Sequence, residues 1–233
     1  MKPKICVSIL PRTVNEAIMF IEMAEKSSPD FIEVRMDCLK DDQEVRDIVK
    51  CVNIPLIATI RPKDCGGEFS DSETKRRILL LNAAKKGFDY VDVELSTEGL
   101  NGIVQDLKQA GAKPIISYHD FEKTPSIREM EKILEDQNKS GAEVCKIVTT
   151  ATVYEDNLTL LTFLQKASKN FRVVSFAMGP LGKISRMLSP FFGGYFTIAS
   201  LKRGKETAPG QITIRDLRTI YRALGVSQNG NFR

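Results

Sequence analysis

The residue that most suggests chemistry is Lys146, in the run Val144-Cys145-Lys146-Ile147-Val148. Its neighbours favour a buried strand, on which the amine either turns inward or snorkels to a strand end. Turned inward, a lysine loses hydration, which favours the neutral amine, a nucleophile toward carbonyl carbon. Snorkelled, it is a solvated charge or an ion-pair partner.

The chain's single histidine, His119, closes the run Ser117-Tyr118-His119, one strand before Lys146. Imidazole titrates nearest neutrality, so it is the natural acid–base partner for such an amine; a structural histidine is the plainer alternative. Glu94, another strand back, or the adjacent Asp120 could orient the ring. A buried structural carboxylate and a turn cap are their competing roles. Glu33 and Arg35 stand two apart on one strand and so share a face, as functional groups or as a structural ion pair. Arg61 and Arg186 carry forked donors that suit a carboxylate, or that simply make exposed salt bridges. The glycines of Gly179-Pro180-Leu181-Gly182 fit a turn into a helix better than a phosphate cradle.

These residues need a scaffold that brings distant segments together, and the hydrophobic periodicity supplies one. Short β-rich runs fall at 5–10, 31–36, 56–60, 90–95, 114–118, 144–148, 173–177 and 195–199. Between them lie segments with apolar residues at three- and four-residue spacing, clearest at 14–26, 72–86, 126–140 and 157–168. Thr13 (with Glu16 three later), Ser72 and Asp156 are the expected N-caps, and Gly87, Gly111 and Gly141 the expected helix stops. Eight strand–helix units in 233 residues is about 29 residues each, close to the roughly 30 of a βαβ unit. The expectation is one (β/α)8 barrel, an α/β fold spanning residues 1–233, with a frayed polar tail at 227–233. An open doubly wound sheet is the weaker choice, because Leu10-Pro11-Arg12 follows the first strand where a glycine-rich turn would be expected. In a barrel, polar residues at the C-terminal strand ends carry the chemistry, and the loop 202–211 after the last strand is long enough for a lid.

Composition narrows the field. The net charge of +4 comes from 34 basic and 30 acidic residues of mixed order, without the basic block of a nucleic-acid footprint. No apolar run approaches the roughly 18 residues of a membrane span, and the apolar start is too short for a secretory signal, so a cytoplasmic protein is expected. Five cysteines without a C-x-x-C pair read as core positions, and a zinc site is not expected.

Taken together, Glu33-Val34-Arg35-Met36-Asp37, Thr59-Ile60-Arg61, Asp92-Val93-Glu94-Leu95, Ser117-Tyr118-His119-Asp120-Phe121, Lys146-Ile147, Met178, Ile184-Ser185-Arg186 and Ala208-Pro209-Gly210-Gln211 resemble the type I 3-dehydroquinase family. The His-Asp-Phe and Ala-Pro-Gly-Gln pieces are the specific ones. The resemblance implies 3-dehydroquinate dehydratase activity, with Lys146 as Schiff-base lysine, His119 as general acid and base, and Glu94 as the acidic partner of that histidine. It further implies substrate binding by Ser8, Glu33, Arg35, Arg61, Arg186, Thr207 and Gln211, with Arg186 on the substrate carboxylate. It implies no metal or organic cofactor, no nucleic-acid or membrane partner, and a homodimer. Thr207 stands where Ser is frequent, keeping the hydroxyl but crowding the loop. The chain starts almost at its first strand, so the N-terminal strand pair of longer members is expected to be missing, and no room is expected for a fused second enzyme. A Schiff-base aldolase on the same barrel, separable by assaying release of a small aldehyde, is one alternative. A non-catalytic barrel that binds a hydroxy acid, with ligand affinity but no turnover, is the other.

Overall fold

The computed structural model describes residues 2–39 and 45–226. Eight strands, β1 (Ile5–Ile9), β2 (Phe31–Arg35), β3 (Leu56–Thr59), β4 (Tyr90–Glu94), β5 (Lys113–His119), β6 (Val144–Thr150), β7 (Val173–Met178) and β8 (Thr197–Ser200), alternate with helices. The helices are α1 (Val14–Glu25), α2 (Arg46–Lys50), α3 (Glu73–Lys86), α4 (Leu100–Gln109), α5 (Ile127–Lys139), α6 (Glu155–Ala167), α7 (Lys183–Leu188) and α8 (Ile214–Ala223). The strands are parallel, in the order β7-β6-β5-β4-β3-β2-β1-β8. The amide of Tyr195, just before β8, donates to Val173 O of β7 at 2.8 Å and brings the ends of the sheet together. This is the expected (β/α)8 barrel. The tail at 227–233 lies outside the described residues.

The local signals act largely as the sequence predicts. The Thr13 hydroxyl accepts from Glu16 N and the Ser72 hydroxyl from Lys75 N. Ser126 and Glu129 form a reciprocal capping box on α5. Asp156 is a correction: α6 begins one residue earlier, and the Asp156 carboxylate instead accepts from Thr152 N and Val153 N. The last strand also begins later than expected, at Thr197, because Tyr195 and Phe196 join Phe31 in an aromatic cluster.

Every strand is buried on both faces, but the inner face changes character along its length. Cys6, Phe31, Ile57, Tyr90, Ile115, Val144, Val174 and Phe196 form an apolar floor. Two residues further along, the same inward positions carry Ser8, Glu33, Thr59, Asp92, Ser117 and Lys146, all buried. Period-two alternation keeps both sets on one face, so the parallel register converts a sequence pattern into a layer of charge. The outward residues, including Val7, Val34, Val93 and Ile116, pack beneath the helices. Of the five cysteines expected in the core, Cys6 and Cys145 are buried, whereas Cys38, Cys51 and Cys65 are partly exposed, since they sit in turns and a helix end rather than on strands.

The segment between β8 and α8 lies over the C-terminal end of the barrel. Gly179 N donates to Pro209 O at 3.3 Å, and Gly210 adopts a φ of +78°, where a Cβ would overlap the Gly179 carbonyl oxygen. Gly210→Ala is therefore expected to lift residues 207–211 from the β7 turn, both by left-handed strain and by overlap. Hydrogen exchange at Thr207 and Gln211 should accelerate about tenfold or more while the global unfolding midpoint barely moves. Unchanged exchange would show that this contact does not hold the segment.

Candidate active site

A pocket opens at the C-terminal end of the barrel, with Lys146 and Glu33 at its base and His119, Arg35, Arg61, Arg186, Thr207 and Gln211 on its walls. Lys146 points inward, as one of its two expected orientations required, but not into an apolar slot. Its Nζ lies 2.8 Å from Asp92 Oδ2 and 3.4 Å from Glu33 Oε1, and the residue is 4% exposed. Glu33 also accepts from the Ser8 hydroxyl at 2.5 Å and the Thr59 hydroxyl at 3.0 Å. Burial would raise the Glu33 carboxyl, but Lys146, Arg35 and the Ser8 hydrogen bond outweigh it and hold it below the ordinary carboxylate range.

Asp92 is the residue that the sequence reading missed. It accepts from Lys146, from Arg61 Nη2 at 2.9 Å and from the Ser117 hydroxyl at 2.7 Å. Burial opposes its charge, but Arg61 and Lys146 prevail and keep its carboxyl well below the usual value. Its inward orientation was available from alternation, because Asp92 and Glu94 are two apart on β4.

Arg61, expected to be exposed if it were merely a salt-bridge former, is buried. Its Nη1 donates to Glu94 Oε1 at 2.7 Å and Ser117 Oγ at 2.9 Å, and lies 3.5 Å from His119 Nδ1. The second Glu94 oxygen accepts from Arg76 of α3. Both oxygens of Glu94 thus face guanidinium groups, and the structure connects Glu94 to His119 through Arg61 rather than by a direct hydrogen bond. Asp120 takes the plainer of its two roles, accepting from Glu122 N and Lys123 N, both at 2.9 Å, to cap the turn after β5. Glu33 and Arg35 share the pocket but do not pair. Arg35 makes a two-pronged bridge to Asp37, at 2.8 and 2.7 Å.

His119 lines the pocket and stacks on Phe121 at 6.0 Å between ring centroids. Burial, then the nearby Arg61 and Lys146 cations, push its imidazole well below the ordinary histidine value, against the weaker pull of Asp92. Arg186 is 1% exposed and differs from the other cations of the pocket. Its guanidinium packs on the Phe176 ring at 4.3 Å and reaches two carbonyls, Ile198 O and Pro209 O, each at 3.3 Å. Nε has no partner, and among the described residues no carboxylate bridges to it. Burial pushes its guanidinium down to about 9.

The segment after β8 continues this network. Thr207 Oγ1 donates to Ser8 Oγ at 2.8 Å, while Gln211 accepts from Thr207 N at 2.8 Å and donates to Thr207 Oγ1 at 2.9 Å. Thus Gln211, Thr207, Ser8, Glu33 and Lys146 are joined in series. The Gly179–Gly182 turn is structural, because a Cβ on Gly182 would press on backbone carbonyls of β7. Among the described residues, no helix is long and apolar enough to cross a membrane.

Because the chain has one histidine, imidazole NMR reports His119 without assignment. The sign is that of a base whose charged form is disfavoured: the ring should remain neutral as pH falls through about 6.5 and protonate well below it. A midpoint at or above 6.5 would contradict this environment.

The geometry can be set beside known proteins. The sequence profile of the type I 3-dehydroquinase family matches residues 5–228. A 3-dehydroquinate dehydratase of Methanococcus maripaludis (strain C7) is 36% identical over 223 residues, covering 95% of this chain and 100% of that protein. The chloroplastic bifunctional 3-dehydroquinate dehydratase/shikimate dehydrogenase of Arabidopsis thaliana is 34% identical over 93% of this chain, which matches 36% of that longer protein. The crystal structure of 3-dehydroquinate dehydratase from Geobacillus kaustophilus superposes with a TM-score of 0.88 at 28% identity, covering 98% of this chain and 93% of that one. With a family match across nearly the whole barrel, including every strand that lines the pocket, the chain belongs to the type I 3-dehydroquinase family.

Proposed function

We propose that this protein is a 3-dehydroquinate dehydratase, a hydro-lyase that converts 3-dehydroquinate to 3-dehydroshikimate in the shikimate pathway of aromatic amino-acid biosynthesis. The observation that carries this reading is one pocket holding both a buried lysine amine and a buried guanidinium that, among the described residues, has no carboxylate of its own. The first suits a ketone and the second a carboxylate, which are the two electrophilic and anionic handles of this substrate.

The interior charges support the same substrate class. Glu33, Asp92 and Glu94 are matched by Lys146, Arg61 and Arg76, and Asp37 by Arg35. Among the described residues Arg186 has no carboxylate partner, which leaves one positive charge in the pocket for a monoanion. Arg186 takes the substrate carboxylate in a forked, charge-assisted contact. Glu33, Arg35, Arg61, Ser8, Thr207 and Gln211 supply polar contacts to the hydroxylated ring. For Ser8 and Thr207, this requires exchanging their mutual hydrogen bond for ones to substrate.

Lys146, after giving up a proton to His119, attacks the C3 ketone, and the imidazolium returns that proton to the departing carbinolamine hydroxyl. The carbinolamine loses water to leave a protonated imine, whose positive nitrogen acidifies the adjacent C2–H. His119, held neutral by its surroundings, removes that proton and becomes imidazolium. The enamine electrons return to the ring as the C1 hydroxyl departs, taking the proton from the same imidazolium as water. One imidazole serving both steps on one face corresponds to syn elimination. Water then hydrolyses the imine, regenerating the Lys146 amine and releasing product, so the net change is loss of one water. Glu94 acts as a positioning residue, holding Arg61 beside the ring.

Two experiments test the reading. Borohydride reduction in the presence of 3-dehydroquinate should fix a ligand on the peptide containing Lys146, and Lys146→Ala should abolish both labelling and turnover. Labelling elsewhere, or turnover by the alanine variant, would refute the lysine's role. Arg186→Met should raise KM for 3-dehydroquinate by about 10- to 100-fold, the scale of a lost hydrogen bond to a charged group. An unchanged KM would remove Arg186 from carboxylate binding.

A further inference from the structure

Arg76 was not singled out by its sequence context, and it stands outside the barrel on α3. Yet it is 1% exposed. Its Nη1 donates to Ile60 O at 3.2 Å and to Glu94 Oε2 at 2.5 Å. Its Nε and Nη2 bridge Glu73 at 2.8 and 2.9 Å, and Nη2 also meets the Thr97 hydroxyl at 2.9 Å. It does not line the pocket. The other Glu94 oxygen belongs to Arg61, whose same Nη1 approaches His119. A continuous series of contacts therefore runs Arg76–Glu94–Arg61–His119, from an outer helix to the imidazole.

We propose that Arg76 is a positioning residue that sets the protonation state of His119, acting through Glu94 and Arg61. Its importance to catalysis rests on the reading of His119 as the acid–base group. The groups that face the imidazole are Arg61 beyond β3, Asp92 on β4, Lys146 on β6 and Arg35 on β2, with the Cys65 thiol on the same pocket wall; Glu94 stands behind Arg61. With Arg76 present, the buried carboxylates Glu33, Asp92 and Glu94 are met by Lys146, Arg61 and Arg76, the last of which also bridges the more exposed Glu73, and the imidazole needs no charge of its own. Removing Arg76 leaves Glu94 with Arg61 as its remaining cation in a region that solvent screens poorly, and the less compensated carboxylate favours the charged form of His119 through Arg61. Glu94 would also draw Arg61 more strongly, weakening its hold on Ser117 and its approach to the ring. A role confined to stapling α3 would cost stability but would not move the titration of an imidazole.

The test uses imidazole NMR of the single histidine together with the pH profile of kcat. Arg76→Met should raise the His119 midpoint by about one pH unit and carry the acid limb of kcat upward by the same amount. KM for 3-dehydroquinate should stay within about twofold, because Arg76 does not reach the pocket. Arg76→Lys, which restores the charge without the fork, should return most of the shift. Glu94→Gln should act in the opposite sense and keep the ring neutral to lower pH. If Arg76→Met does not fold, the Arg76→Lys and Glu94→Gln titrations carry the decision. A midpoint unmoved in folded Arg76→Met, or a Glu94→Gln shift upward, would overturn the inference. The two readings fail separately: an inactive wild type with a shifted midpoint in Arg76→Met refutes the dehydratase, whereas full wild-type turnover with an unmoved midpoint refutes Arg76.

Discussion

The structure depends on the mutual neutralisation of charges at the barrel mouth. Lys146, Asp92, Arg61 and Glu94 are each nearly buried, and each side chain owes its place to the next. Taking such ions out of water costs several kcal/mol apiece, repaid when opposite charges meet in good geometry and the spare lone pairs find donors. That condition is stringent here, because the partners come from β4, β6 and the segment after β3. Removing one member leaves the other unpaired, at a cost of about 3–5 kcal/mol. The apolar floor of Phe31, Ile57, Tyr90 and Ile115 stabilises the barrel, and the charged layer above it fixes which register the strands adopt.

The same constraint extends to the segment over the barrel mouth. Ser8 donates to Glu33, which belongs to the Lys146 network, and accepts from Thr207, which belongs to that segment. A single serine hydroxyl has one proton and two lone pairs, so its commitment to Glu33 leaves an acceptor for Thr207. Closure of the segment thereby uses the polarity of the interior rather than an apolar latch, which suits a pocket that must exchange these contacts for those of a hydroxylated ligand. The close approach of Gly210 to Gly179 permits the backbone to come near enough for this.

Much of this was legible in the residues. Period-two runs separated by helical spacing gave the eight units, and alternation put Glu33 and Arg35 on one face, but it left Lys146 open between an inward turn and a strand end. Asp92 was equally legible, since Val91 and Val93 face outward and leave Asp92 beside Glu94 on the inner face. Arg76 is harder. In the run Lys75-Arg76-Arg77 it looks like part of a solvated surface, and only its spacing from Leu80, Ala83 and Ala84, with which it shares the buried stripe of α3, sets it apart. The direct Glu94–His119 pairing was plausible from neighbouring strands but depended on side-chain reach, which sequence does not contain. Arg61 is long enough to intervene.

The charge balance also bears on why one imidazole can serve the whole proposed reaction. A protonated imine on Lys146 has the same charge as the ammonium it replaces, so its pairing with Asp92 and Glu33 survives imine formation. In the proposed reaction the incoming carboxylate would meet Arg186, whose guanidinium has no acidic partner among the described residues. Neither event alters the balance around Arg61 and Glu94. The remaining charge that must appear and vanish is the proton on His119, generated when C2 is deprotonated and returned to the departing hydroxyl. In such surroundings an imidazolium is costly, so the proton is passed on readily rather than retained. The buried cations that keep the ring neutral at rest also favour its second task, donation to the leaving group, and no separate general acid is required.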